Sequence, residues 1–214
     1  MPTLSQVQFS PLEKDILQEI MNIGFGQASA QLAEVIDICI ELSVPEIRLF
    51  RASELRDYIA GEVQSVQTVS LIEQYFLGKF KGIALLVFPS KAGKQLVSML
   101  GLKEESNWSS EHIDLLEKEA LVEVGNIIIG ACVGKITELL NDVVIYSPPR
   151  VMVQDIRSST LPKNLFDPAS MAISMKTVFG FESKNVTGFL FLIANQDSIE
   201  WLKSALHSFL EQYE

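Results

Sequence analysis

Apolar residues near the start of the chain recur at helical rather than strand spacing. Leu12, Ile16, Ile20 and Ile23 follow one another at intervals of four, four and three, the repeat of one buried helical face. Ser10-Pro11-Leu12-Glu13 supplies the start signal: a capping serine, a proline preset for the first turn, and an acid placed to close a capping box. These features predict a helix from about Ser10 to Val35. A second long helix is predicted from Ser109 or Ser110 to about Leu140, where Leu116, Ala120, Val124 and Ile127 repeat the stripe. Glu111 and Asp114 place acid near its positive end.

Between these runs the period changes to two. Ile38, Ile40, Leu42 and Val44 alternate with Cys39, Glu41 and Ser43, which predicts a half-buried strand ended by Pro45. Further strands are expected around Val63 to Phe76, Phe80 to Phe88, Val143 to Tyr146, Met171 to Thr177 and Gly188 to Ala194. Short helices are expected from about Ser90 to Leu100, closed by Gly101, and from about Asp197 to Tyr213. Each half therefore reads helix, strand, paired strands, helix. Hairpin connections rather than βαβ crossovers favour an α+β fold, with pseudo-twofold duplicated halves sharing one mainly antiparallel sheet and contributing two long motif-bearing helices. Residues 1–214 are expected to form a single domain of two internal repeats, about 10–102 and 109–214, joined at 103–110. The stretch from Ser158 to Ser170 reads as a loop-like insertion.

Polar positions strengthen the duplication. Glu19, Asn22 and Pro45 recur 104 positions later as Glu123, Asn126 and Pro149, and Asp15 has Glu119 as its counterpart. At about 100° per residue, Asp15, Glu19, Asn22, Gly26 and Ser29 share an arc of about 80° on the first helix. The equivalent arc of the second holds Glu119, Glu123, Asn126, Gly130 and Val133. Gly26 and Gly130 would leave a shallow gap one turn beyond each asparagine. Helical glycine costs roughly 1 kcal/mol relative to alanine, and close approach of another backbone accounts for such a cost. One isolated Glu/Asn pair is most simply a solvated surface feature; a duplicate in the same register argues for presentation to a partner or substrate. The two prolines read as strand terminators without chemistry.

Composition narrows the chemistry. A hydrophobic content of 48% supplies ample core for 214 residues. Cys39 and Cys132 lack paired spacing and read as reduced core thiols, which suits the cytoplasm. No secretion signal or membrane span is expected, because the longest uncharged apolar runs are of strand length. A formal charge of −10, with basic residues scattered singly, disfavours nucleic acid as a partner. The two histidines, His112 and His207, have no ligand set around them in sequence, so no metal site is expected. Walker, dinucleotide-binding and nucleophile-elbow motifs are absent. A Glu/Asn pair can still assist a reaction whose reactive group is supplied by a partner. The carboxamide both donates and accepts and can orient a water for in-line attack, and a carboxylate can pair with a partner lysine. Hydrolysis of an acyl phosphate already bound to magnesium elsewhere fits that division of labour.

At these residues the chain resembles the CheC family of bacterial chemotaxis phosphatases, which includes CheX and the phosphatase region of FliY. The family motif runs Asp or Ser, three residues, Glu, two residues, Asn, twenty-two residues, Pro. Asp15, Glu19, Asn22 and Pro45 satisfy every element; Glu123, Asn126 and Pro149 match in the second copy, where Glu119 departs from the expected Asp or Ser. The resemblance implies hydrolysis of the aspartyl phosphate of a CheY-like response regulator. It implies that Asn22 and Asn126 place the attacking water, that Glu19 and Glu123 contact the receiver's lysine, and that Mg2+ belongs to the receiver, with no cofactor of the chain's own. Two motif copies imply a CheC-like monomer. The alternatives are a non-catalytic FliM-like module binding a receiver or the flagellar switch, and a regulatory partner of a CheD-like receptor deamidase, a role compatible with catalysis.

Overall fold

The first helix starts as its sequence predicts. The Glu13 N–H donates to Ser10 Oγ at 3.1 Å and the Ser10 N–H donates to Glu13 Oε2 at 2.6 Å, a reciprocal capping box. The computed structural model describes residues 9–36, 40–62, 69–89, 92–99, 110–154, 171–181 and 186–211. Its helices are α1 (Pro11–Ile36), α2 (Leu55–Glu62), α3 (Ala92–Met99), α4 (Ser110–Leu139) and α5 (Gln196–Glu211). Its strands are β1 (Ile40–Leu42), β2 (Glu46–Arg51), β3 (Val69–Leu77), β4 (Gly82–Pro89), β5 (Ile145–Tyr146), β6 (Arg150–Gln154), β7 (Met171–Phe181) and β8 (Val186–Asn195). The expected joint over 103–109 and the insertion over 158–170 lie outside the described residues, as does Cys39.

All described strand pairs are antiparallel and lie in one sheet, so the expected α+β fold is borne out. β4 and β8 pair at its centre, from Gly82 opposite Ala194 to Val87 opposite Phe189. β3 flanks β4 and β7 flanks β8. The outer strands are exchanged between the halves: β1 and β2 pair with β7, whereas β5 and β6 pair with β3.

Both faces of the central strands are covered, which explains their continuous apolar runs. Ala84, Leu86 and Phe88 join Leu190, Leu192 and Ala194 in the core beneath α1, α3, α4 and α5. Alternate residues Ile83, Leu85, Val87, Phe191 and Ile193 pack on the opposite face with Leu55 and Ile59 of α2. Helices α1 and α4 lie against one another. A Cβ at Gly24 would stand 3.4 Å from Ile136 Cγ1, so this glycine serves close helix packing. Asp114–Leu139 of α4 is long and apolar enough to cross a membrane by length and composition alone, but its apolar face is buried in this core. Cys132 is buried there with a free thiol, and burial pushes its pKa up, which suppresses thiolate chemistry.

Two expectations need correction. The buried stripe of α1 is Leu17, Ile20, Met21, Phe25 and Ala28, whereas Leu12 is 61% and Ile23 36% exposed. The helix packs at once on α4, β1 and α5, which turns a wider and rotated arc inward. On α4, Val133 is buried rather than part of the polar face. Pro45 and Pro149 lie in breaks between strands, as expected: β1 ends at Leu42 and β5 at Tyr146. Each is a joint at which the chain resumes as a second strand on the same neighbour, β2 after β1 on β7 and β6 after β5 on β3. A residue without an N–H is tolerated at such a break in the ladder.

Candidate functional site

The two polar pairs stand on the outward faces of α1 and α4, whose opposite faces are packed in the core. Glu19 and Asn22 are exposed on α1, and Glu123 and Asn126 are exposed on α4. Their helices are anchored from beneath by Leu17, Ile20 and Met21, and by Ala120, Leu121 and Val124. Such anchoring fixes the Cα positions of the exposed pairs, as a preorganised site needs. Asp15 and Glu119 are exposed one turn earlier. Among the described residues a Cβ at Gly26 or Gly130 would meet nothing within 4 Å, so each pair borders an open shelf rather than a helix contact. Close approach of another backbone within the described fold is therefore true of Gly24 and untrue of the glycines beside the asparagines.

The prolines position the strand joints beneath these pairs. Gln18 Nε2, on α1, donates to the Pro45 carbonyl at 2.9 Å. Two residues before each proline stands a serine, Ser43 or Ser147, that ties the joint to the neighbouring strand. The Ser147 N–H donates to the Tyr75 carbonyl and the Tyr75 N–H to Ser147 Oγ, both at 3.0 Å. In the other half the Ser43 N–H donates to the Val178 carbonyl at 2.8 Å and the Val178 N–H to Ser43 Oγ at 2.9 Å. These serines, spaced like the motif itself, were legible in the sequence as further members of the repeat.

Gln74 and Thr177 carried no such signal. Gln74 Nε2 donates to the Ser147 carbonyl at 2.9 Å and to Asn126 Oδ1 at 3.1 Å. Thr177 Oγ1 donates to the Ser43 carbonyl at 2.7 Å. Among the described residues, Asn22, Glu19 and Glu123 have no side-chain partner. Tyr146 braces the second helix from the strand side: its hydroxyl donates to the Gly130 carbonyl at 3.2 Å, and burial pushes its pKa up to about 12, with the buried Cys132 adding to the effect. It remains a neutral hydroxyl at physiological pH.

Chemically, each pair offers one carboxylate and one carboxamide. Among the described residues no group of three or more His, Cys, Asp or Glu side chains is placed to hold a metal ion. His112 and His207 are both exposed. The arrangement can bind a cation, donate and accept hydrogen bonds, and orient a water; it cannot form a covalent intermediate through an asparagine.

The chain matches the model of the CheC-like family over residues 12–48. It is 25% identical to the CheY-P phosphatase CheC of Bacillus subtilis (strain 168) over 199 residues, which is 91% of this chain and 93% of that protein. Its fold is similar to that of Thermotoga maritima FliY, with a TM-score of 0.70 at 18% identity, covering 94% of this chain and 98% of the other. A chain of the CheX–CheY–BeF3–Mg2+ complex from Borrelia burgdorferi is similar at a TM-score of 0.52 and 18% identity, covering 81% and 97%. The resemblance to the CheC family read from the spaced motif is borne out.

Proposed function

We propose that this chain is a phosphatase that hydrolyses the aspartyl phosphate of a CheY-like response regulator at two sites, Glu19 with Asn22 and Glu123 with Asn126. The observation that carries this reading is the pair of exposed Glu/Asn faces on packed helices, each beside an open glycine shelf. The relative named a CheY-P phosphatase supports it, and the CheX–CheY complex supports a receiver as the partner.

In this reading the receiver brings its own phosphoryl group and Mg2+. The glutamate docks against a receiver lysine, an exposed pair of modest energy whose use is orientation. The asparagine enters beside the acyl phosphate and holds a water in line with the scissile bond, where placement alone lowers the barrier. The protein acts as a cytoplasmic monomer, one domain of two repeats. A CheD-like deamidase as a second partner is compatible with the exposed surface left over.

The test measures phosphate loss from a labelled receiver with wild type, Asn22→Ala, Asn126→Ala and the double variant. Each single change should remove one site's contribution, and the double should return decay to the receiver's own rate. Receiver binding without faster decay would instead select the non-catalytic, FliM-like binding reading.

A further inference from the structure

We infer that Gln74 is a positioning residue that fixes which way the Asn126 carboxamide points, and that Asn22 has no equivalent support among the described residues. The inference rests on the phosphatase reading above. Gln74 lies on β3 between Ile72 and Phe76, in the row that faces the helices, and is buried. A polar side chain there interrupts an apolar row, and burial favours pairing of its amide; its Nε2 is paired, while Oε1 has no partner among the described residues.

The chain of bonds has one sense only. The Ser147 carbonyl can accept but not donate, so Gln74 must turn its NH2 group toward it. The same nitrogen reaches Asn126 with its second hydrogen, so Asn126 must answer with Oδ1. Asn126 Nδ2 and one lone pair of Oδ1 then remain for a ligand, in an orientation dictated by the backbone of the β5–β6 joint.

In the first half the same frame is built with one residue changed. Thr177 stands on β7 between Met175 and Phe179, also in the helix-facing row. Its single hydroxyl hydrogen is used on the Ser43 carbonyl, and nothing remains for Asn22. The terminal torsion of an asparagine is broad, so Asn22 samples orientations that Asn126 is held out of. For a reaction that depends on placing a water, the held amide spends a larger fraction of encounters in the productive geometry.

Gln74→Thr rebuilds the first-half arrangement in the second half. The Ser147 carbonyl keeps a hydroxyl donor, as the Ser43 carbonyl has from Thr177, so the fold is retained; Gln74→Ser serves the same purpose if the threonine variant does not fold. In an Asn22→Ala background, which isolates the Asn126 site, kcat for decay of the phosphorylated receiver should fall about three- to tenfold, the range for one neutral hydrogen bond. KM should not change. The two Asn126 side-chain NH signals, resolved by 15N NMR in the parent, should broaden or converge. Unchanged kcat together with unchanged Asn126 signals overturns the inference, as does activity that runs through Asn22 alone. If no form of the protein accelerates decay, the phosphatase reading fails instead, and the NMR comparison still decides whether Gln74 holds the amide.

Discussion

Filling the two open glycine positions should raise stability and lower receiver processing at once. Gly26 and Gly130 sit inside long helices, where glycine is about 1 kcal/mol less favourable than alanine. An added methyl meets nothing within 4 Å at either site, so no clash offsets the gain. The positions share no contact and should act additively. A Gly26→Ala/Gly130→Ala protein is thus expected to gain about 2 kcal/mol, or about 4–8 °C in Tm for a chain of this size. Leucine at the same positions would occupy the shelf one turn from each asparagine. Forcing a receiver over that side chain should cost about 1–3 kcal/mol, a rise in KM of about five- to 150-fold. Thermal unfolding by circular dichroism reads the first effect, and initial rates of phosphate loss against receiver concentration read the second. Destabilisation by alanine would show that the shelf is filled in the fold. An unchanged KM for the leucine variants would remove the glycines from the docking surface.

Two further substitutions probe the scaffold. Gly125→Ala should be destabilising despite the better helix former, because its Cβ would lie 2.9 Å from Cγ2 of the buried, β-branched Ile72; strain of about 1–3 kcal/mol against a gain of about 1 kcal/mol should lower the urea midpoint. Lys176→Met should cost about 1–2 kcal/mol, because Lys176 Nζ lies 2.6 Å from Glu62 and 2.8 Å from Glu46, and the more exposed Glu46 contributes little of this. The Lys176 bond holds the Glu46 carboxyl below its ordinary value, against an opposing effect of burial. Burial works against the Lys176 charge, but its bonds to both glutamates outweigh this and raise its pKa. The Glu46 share of this stabilisation is therefore present above the ordinary carboxylate range and lost as pH falls through the lowered Glu46 value, and lost again only as pH rises through the raised Lys176 value. Urea unfolding across pH should show the wild-type advantage at pH 6–8 and its disappearance in strong acid; a gap that persists at about pH 2 would refute the ion-pair account.

The sequence discloses the motif helices because caps and periodicity act locally: Ser10 and Glu13 complete their box without help from the rest of the chain. It misplaces the ends of the α1 stripe because burial of Leu12 or Ile23 depends on which neighbours lie beside the helix, and periodicity carries no such information. It omits β2 and β6 because a proline looks like an end when only its own strand is in view. In the fold the partner strand runs on past the joint and pairs with β2 or β6 beyond it. Glu19, Asn22, Glu123 and Asn126 were legible because both copies kept their identity. Gln74 and Thr177 were hidden because the copies diverged there, and that divergence leaves Asn126, but not Asn22, bonded to the row beneath its helix among the described residues.

Exchange of outer strands gives this inequality its setting. Asn126 belongs to the second repeat but takes its support from Gln74 in the first, while the Ser43 joint of the first repeat is held by Thr177 of the second. Each strand joint is thus held by a strand from the opposite half, but only the Asn126 amide is bonded across the halves among the described residues. What the halves share is the β4–β8 seam, where Gly82 leaves no room for a Cβ against the Ile193 carbonyl oxygen. A side chain at Gly82 would strain the sheet beneath both sites together, whereas a change at Gln74 reaches only one. The architecture therefore couples the two Glu/Asn faces in stability while leaving their amides independently adjustable, so one copy can be tuned through the row beneath its helix without altering the exposed Glu/Asn pair above it.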